Sequence, residues 1–243
     1  MRRHKNNLLS RVEPSAFEEL EKHVVVAELA PGEVLAEAHG TIEKVYFPHA
    51  GIVSCVVELA GGGVIETGMI GRDGEFGAGL ALDGRVSLNH VAVQVGGTAS
   101  ILDARMIVPL AEKYPSFRRL MLSYEHFKLA QVQQTAACNA VHSVQARTCK
   151  WLLRMRELAG DELNVTQQYM AQMMGVRRTS ITAVAIDLQK AGIISHSRGR
   201  IQIIDAAKIR QLACECHDDV SAHYIRLFPP MPDYELTAMR GAL

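Results

Sequence analysis

Residues 166–190 read TQQYMAQMMGVRRTSITAVAIDLQK, and this stretch decides the class of fold. Thr166 is a polar residue that can cap a short helix over residues 167–174, and Gly175 then ends that helix. A second helix follows, because apolar residues recur at intervals of three and four along one face: Ile181, Val184, Ala185 and Leu188. Two short helices joined by a tight, glycine-containing turn are typical of a helix-turn-helix.

The next segment, residues 193–204, reads IISHSRGRIQII. Two apolar runs flank a polar and basic tip, which predicts a β-hairpin, here called the wing. In a helix-turn-helix the second helix lies in the major groove of DNA, and its N-terminal residues reach the base edges. Arginine there suits bidentate contact with guanine, whereas the first helix and the wing lie over phosphates.

We therefore predict a DNA-binding site. Its candidate residues are Thr166, Gln167, Arg177, Arg178, Thr179, Ser180, Thr182, Arg198 and Arg200. The alternative is a small winged-helix fold that is used only for protein contacts, since a fold does not by itself define a function.

Upstream of this unit, the spacing of apolar residues predicts one helix over residues 116–137 and another over residues 140–159, which ends at Gly160. The first helix carries a stripe made of Phe117, Leu120, Tyr124, Phe127, Gln131 and Gln134. Such a stripe either packs on the rest of the chain or forms a seam between two copies, because moderate amphipathicity fits both uses. The stripe alone leaves both uses open.

Between residues 24 and 109, short apolar runs alternate with glycine-containing turns. We predict strands over residues 24–27, 45–47, 52–59, 64–69, 91–95 and 99–102, after a helical lead-in over residues 1–23. Many short strands at near-regular spacing indicate a β-barrel or a β-sandwich.

The composition is that of a globular protein, with 243 residues, 48% hydrophobic and 21% charged. The chain has 26 basic residues (Lys and Arg) and 26 acidic residues (Asp and Glu), so its formal net charge is zero. It is therefore not a bulk polycation that coats nucleic acid. The charge is uneven, however. Residues 140–204 hold 9 basic and 4 acidic residues, which places a basic segment at the predicted DNA-binding unit between two acidic ones.

Cysteine usage and hydropathy indicate the compartment. The 5 cysteines are scattered and odd in number, so we expect no disulfide framework and a reducing cytoplasm. We expect no signal peptide, because no apolar core follows Arg2, Arg3 and Lys5, and no membrane span.

Two sets of metal-ligating residue types stand outside the DNA-binding motif. One set, Cys214, Cys216 and His217, is close in sequence. A closed zinc site needs four ligands, and no second cysteine pair is present to complete it. We therefore expect these cysteines to pack as small hydrophobes. His39, His49 and His90 lie in the β region, where a cupin-like β-barrel metal-dependent enzyme is the alternative function. We predict no metal, no cofactor and no catalytic residue, because no nucleophile–base set, P-loop or dinucleotide fingerprint is found.

The order of these parts resembles that of the Crp/Fnr superfamily of bacterial transcription regulators. The resemblance is carried by residues 166–194, by VYFPHAGIVS at residues 45–54 and by GRDGEFG at residues 71–77. It implies an α+β fold with an N-terminal cyclic-nucleotide-binding-like β-roll (double-stranded β-helix), a long dimerisation helix and a C-terminal winged helix-turn-helix. The implied boundaries are 1–115 for the sensor with its lead-in, 116–138 for the dimerisation helix, 139–205 for the DNA-binding domain and 206–243 for a helical tail. The resemblance thereby assigns the stripe from Phe117 to Gln134 to the dimer contact.

The resemblance also implies a function. The expected protein is a homodimer that reads a roughly palindromic operator in double-stranded DNA, acts with RNA polymerase and responds to a small-molecule effector at the β-roll, away from membranes. Arg178 matches an arginine of the family pattern, but Thr179 stands where Glu is usual and Ala183 where Arg is usual. The operator sequence therefore does not carry over.

The expected effector pocket departs further from the family pattern. It would comprise Phe76, Gly77, Gly79, Leu80, Asn89 and His90. Members that bind cyclic nucleotides have Glu at the position of Gly79 and an Arg-Ser pair at the positions of Asn89 and His90. In this chain no fixed cation therefore faces a cyclic phosphate, and we expect weak or no binding of cyclic AMP. Residues 1–54 hold no cysteine for the iron–sulfur centre of oxygen-sensing members.

Overall fold

Two antiparallel sheets build the N-terminal part of the computed structural model, which describes residues 4–197 and 199–230. One sheet has the order β1-β7-β3 and the other β2-β6-β4-β5. The strands are β1 (Val25–Leu29), β2 (Val34–Ala36), β3 (Lys44–Pro48), β4 (Ile52–Glu58), β5 (Val64–Ile70), β6 (His90–Val95) and β7 (Gly97–Asp103). Buried residues of both sheets, such as Phe47 and Val91, share one core, so the predicted β-roll is confirmed.

Short elements cover this core. A 3-10 helix (Leu9–Arg11) and α1 (Pro14–Glu21) precede β1, and α2 (Ala78–Leu82) lies between β5 and β6. Helix α3 (Ile107–Lys113) leads into α4 (Pro115–Val141). The sequence patterns did not predict β2, α2 or α3, because elements of three to seven residues are too short to show a period.

Helix α4 has 27 residues and is about 40 Å long. It continues past residue 137 to Val141, so the expected start of a second helix at residue 140 is wrong. The break falls at His142 and Ser143, both in extended conformations, and the Ser143 hydroxyl accepts a hydrogen bond from the backbone N–H of Ala146 at 3.2 Å. This cap starts α5 (Val144–Ala159), because a helix without Pro or Gly runs on until a capping residue allows a new start.

The predicted DNA-binding unit follows α5. Its elements are β8 (Glu162–Leu163), α6 (Gln167–Met173), α7 (Arg178–Lys190), β9 (Ile194–Ser197) and β10 (Arg200–Ile203), with the sheet order β8-β10-β9. Helices α8 (Ala206–Leu212) and α9 (Cys216–Leu227) end the described chain. The predicted helix-turn-helix and wing are therefore present.

The C-terminal elements return to the N-terminal part. Tyr224 of α9 packs against Phe127 of α4 with ring centroids 5.0 Å apart, and its hydroxyl donates to the carbonyl oxygen of Asp73 at 2.8 Å. Arg154 of α5 forms an ion pair with Asp73 at 2.7 Å. These contacts dock the DNA-binding unit on the β-roll.

The predicted dimerisation stripe of α4 lies mostly inside this packing. Phe117, Tyr124 and Phe127 are buried by elements of their own chain, and Leu120, Gln131 and Gln134 are half-buried. Apart from Val141 at its last position, the exposed apolar residues of α4 lie on a different side of the helix: Leu122, Leu129 and Val132. In the described residues no helix is both long and apolar enough to span a membrane.

Candidate nucleic-acid interface

The turn between α6 and α7 is built by short-range contacts that the sequence dictates. The Thr166 side chain caps α6 by accepting from the backbone N–H of Tyr169 at 3.1 Å. Gly175 has φ of +62°, a conformation that side chains disfavour, and the next amide donates to the carbonyl oxygen of Ala171 at 3.0 Å. The Arg147 guanidinium of α5 donates to the carbonyl oxygen of Met174 at 2.6 Å, which holds the end of α6.

Helix α7 is amphipathic in the way its spacing predicts. Its apolar face packs into the domain core, where Ile181 is 0% exposed. Arg177 occupies the N-cap position, and Arg177, Arg178 and Thr179 are exposed, while Ser180 is half-buried. The N-terminal end of a helix carries a partial positive charge, so the two guanidinium groups and the helix dipole together favour an anion there.

Two of the predicted contact residues have a role within the motif. The Thr182 hydroxyl lies 2.6 Å from Oε1 of Gln167 and 3.1 Å from the carbonyl oxygen of Arg178. This contact joins the first residue of α6, Gln167, to the fifth residue of α7. It therefore ties the two helices of the motif together.

The wing is a hairpin of two four-residue strands. Arg200 pairs with Ser197 and Ile203 with Ile194, and Gly199 at the tip has φ of +81°. Arg200 is exposed on the same unit as the start of α7. Arg198 lies outside the described residues.

The effector-pocket candidates Phe76, Gly77, Gly79 and Leu80 pack among neighbouring elements. Phe76 is buried, Gly77 begins α2 with φ of +103°, and Leu80 is half-buried in α2. The Glu125 side chain of α4 covers Gly79 so closely that an added Cβ would collide with it. Glu125 in turn pairs with Lys128 at 2.5 Å, so charged groups of α4 fill the space beside this segment.

Asn89 and His90 lie half-buried at the start of β6. The His90 ring nitrogen Nδ1 is 3.0 Å from Oε2 of Glu37 and 3.9 Å from Oε1 of Glu58. Two carboxylates therefore lie beside the segment where the resemblance implies a phosphate site, and they disfavour an anion there.

The histidines of the alternative, cupin-like interpretation do not converge. His49 Nε2 contacts Ser100 Oγ at 2.9 Å, and burial together with the neighbouring His4 lowers the pKa of His49 to about 4. His90 faces Glu37, as described. Within residues 4–197 and 199–230, none of His39, His49 and His90 belongs to a group that could hold a metal ion.

A buried carboxylate that the sequence patterns missed lies where the two parts of the chain meet. Glu66 of β5 accepts a hydrogen bond from Nε1 of Trp151 in α5 at 2.7 Å and another from the Ser54 hydroxyl of β4. Burial raises the pKa of Glu66 to about 7, although both hydrogen bonds and the Arg154 cation act in the opposite direction. The only sign in the sequence is a carboxylate within an otherwise largely apolar strand.

A cavity of about 320 Å³ adjoins Glu66. Its walls come from β5, α4, α5, the end of α6 and α9, so both the β-roll side and the DNA-binding side line it. Both cationic and anionic side chains line it, including Arg72, Lys150 and Glu157.

Comparison with known proteins agrees with this geometry. Residues 146–212 match the family model for the Crp-like helix-turn-helix domain. A search of the curated proteins found no significant match to the chain.

Among solved structures, the chain is similar to FixK2 from Bradyrhizobium japonicum, at 13% identity and a TM-score of 0.67 over 79% of this chain and 98% of that one. It is similar to a CRP-family transcriptional regulator from Thermus thermophilus, at 18% identity and a TM-score of 0.64 over 77% of this chain and 96% of that one. It is also similar to the c-di-GMP responsive global regulator CLP from Xanthomonas campestris, at 15% identity and a TM-score of 0.63 over 79% and 99% of the two chains.

The β-roll, the long helix and the winged helix-turn-helix define a DNA-binding transcription regulator, a class distinct from the β-barrel enzymes considered as the alternative. Residues 146–212 thus form a Crp-like helix-turn-helix domain, and the chain shares the fold of Crp/Fnr-family regulators, as the resemblance in the sequence implied.

Proposed function

We propose that the protein reads a roughly palindromic operator through the start of α7. The observation that carries this proposal is the exposed pair Arg177 and Arg178 at the positive end of a helix whose other face is buried. Arg178 and Thr179 contact base edges, and Thr166, Arg198 and Arg200 position the domain on phosphates. Gln167 and Thr182 act by joining α6 to α7.

Fluorescence anisotropy with DNA from upstream of the protein's own gene tests this proposal. Specific binding should exceed binding to random DNA by at least about 10³-fold and weaken as salt rises. Equal affinity for both DNAs at every salt concentration would contradict it.

We propose further that two copies join through α4, as a palindromic site requires. The burial of Phe117 and Phe127 inside the chain points to the other side of the helix, where Leu122, Leu129 and Val132 are exposed. Light scattering, which measures the mass of the particle in solution, tests this arrangement with the variant Leu129→Glu. Leu59→Glu, at an exposed leucine of the β4–β5 turn, is the matched control. Only Leu129→Glu should yield a monomer, and a dimeric Leu129→Glu protein would contradict the assignment.

We also propose control by a small-molecule effector other than cyclic AMP, with RNA polymerase as a partner and the cytoplasm as the site of action. The carboxylates beside His90 and the Glu125 side chain over Gly79 support the exclusion of a cyclic phosphate. The cavity between the two parts of the chain supports effector control, because a ligand there would bias how they dock. Cyclic AMP at millimolar concentration should leave DNA affinity unchanged, and a tenfold increase would contradict this part of the proposal.

A further inference from the structure

Four metal-ligating side chains meet where the end of α4 contacts the start of α9. Cys138 and His142 lie one turn apart at the end of α4, and Cys214 and Cys216 flank the start of α9. One ligand atom from each residue lies within 4.8 Å of all the others. The fold thus supplies two ligands that are more than 70 residues away from the Cys214 pair along the chain.

The spacing of these atoms fits one tetrahedral ion. Sγ of Cys138 is 3.5 Å from Sγ of Cys214, and Sγ of Cys216 is 3.5 Å from Nδ1 of His142. Zinc binds sulfur at about 2.3 Å and imidazole nitrogen at about 2.0 Å, so neighbouring corners of its tetrahedron are about 3.5–3.8 Å apart.

Other uses of the same residues fit less well. A disulfide would join only two sulfurs and would leave the other thiol and the imidazole of His142 unexplained. An iron–sulfur cluster spreads its four protein ligands over at least two iron atoms, so some of the ligands must lie further apart than the 4.8 Å found here. Three thiolates and one imidazole in tetrahedral array are the donor set typical of zinc.

The groups around the cluster have the geometry of an outer shell. Nε2 of His142 lies 3.2 Å from Oε1 of Glu215, which would hold the proton on Nε2 and leave Nδ1 free for a metal. The Gln134 amide nitrogen is 3.1 Å from Sγ of Cys216, so it can donate to a thiolate. Cys138, Cys214 and Cys216 are buried, whereas His142 is half-buried and open on one side to solvent.

We propose that Cys138, His142, Cys214 and Cys216 bind one Zn²⁺ ion per chain. Each cysteine binds as thiolate and releases its proton to solvent. Because four protein groups complete the tetrahedron, no position remains for a substrate, and the ion has a structural role. It ties the last turn of α4 to the segment that joins α8 to α9, and so to the DNA-binding side of the chain.

Metal analysis of the full-length protein tests the proposal. Protein purified from zinc-supplemented cells should hold close to one zinc per chain, and Co²⁺ in its place should give the absorption of tetrahedral cobalt–thiolate coordination. Cys214→Ser and Cys216→Ser should lose the zinc, whereas Cys55→Ser and Cys149→Ser, free cysteines outside the cluster, should retain it. Less than a tenth of an equivalent of zinc, stoichiometric copper instead, or a Cys138–Cys214 disulfide in metal-free protein would each overturn the assignment.

Variants at residues that are not fully buried test the zinc site without disturbing the core of the fold. His142→Ala removes a half-buried ligand and should weaken zinc binding at least tenfold in chelator competition. Glu215→Gln should weaken it by about tenfold as well, whereas the exposed Asp219→Asn should not. Chelation should lower the melting temperature of the parent protein but not that of Cys214→Ser. Unaltered zinc affinity in His142→Ala would overturn the proposal.

Discussion

Replacement of Glu66 by glutamine should make the protein more stable above pH 7. The pKa of Glu66 is about 7 in the folded chain, against 4.5 for an ordinary glutamate. The folded state therefore keeps its proton while the unfolded chain releases it. Stability falls as pH rises from about 4.5 to 7 and is level above that window.

The magnitude follows from this difference. Each pKa unit corresponds to about 1.4 kcal/mol, so the ionised Glu66 costs the parent protein roughly 3 kcal/mol at pH 8 and less than about 1 kcal/mol at pH 5. Glutamine has nearly the same shape and carries no charge. Its amide oxygen still accepts from Trp151, and its amide N–H can donate to the Ser54 hydroxyl, which turns to accept.

Differential scanning calorimetry at a series of pH values is the assay. At pH 8 the melting temperature of Glu66→Gln should exceed that of the parent protein by about 6–12 °C, and at pH 5 the two should nearly coincide. Glu28→Gln, on exposed β1, is the matched control and should follow the parent curve. Parallel curves for Glu66→Gln and the parent protein, or a less stable variant at pH 8, would refute the reasoning.

Three further substitutions test the DNA-binding unit. In competition binding, Arg178→Ala should reduce the preference for the operator over its single-base variants by about 1–3 kcal/mol. Lys190→Ala, at the far end of α7, should leave that preference unchanged. An unchanged preference in Arg178→Ala would count against base contact. Arg200→Ala should weaken binding to operator and random DNA alike, and it should reduce the slope of log affinity against log salt by about one. An unaltered slope would exclude a phosphate contact. Thr182→Val removes the hydroxyl that joins α6 to α7 and should lower the free energy of unfolding in urea titration by about 1 kcal/mol. Thr182→Ser keeps the hydroxyl and should keep the stability of the parent protein. Equal losses for both variants would show that the methyl group, not the hydroxyl, matters.

The helix-turn-helix and most strands could be predicted because their signals are local. The apolar face of α7, the cap at Thr166 and the turn at Gly175 all lie within 25 residues, and each specifies its own backbone conformation. The strands from β3 to β7 likewise alternate with turn residues that mark their ends.

The inward and outward faces of α4 could not be predicted, because they depend on what packs against the helix. An apolar stripe indicates burial but not the partner, and α9, which covers Tyr124 and Phe127, is about 90 residues away. Burial of Glu66 depends in the same way on α5. The expectation that the tail cysteines only pack together rested on the lack of a second pair of ligands nearby in sequence. The end of α4 brings two such residues, Cys138 and His142, from a distance.

Only His142 and Ser143 separate the end of α4 from the start of α5, so four backbone torsions set the orientation of the DNA-binding unit relative to the long helix. A linker this short stores little disorder: fixing two residues costs about 2–4 kcal/mol of conformational entropy per chain. A change in how α4 packs on the β-roll is therefore passed to α5 with little loss in a flexible linker. A rotation about one of these four torsions would turn the whole DNA-binding unit relative to α4, so substitutions at His142 or Ser143 are expected to change how that unit is oriented.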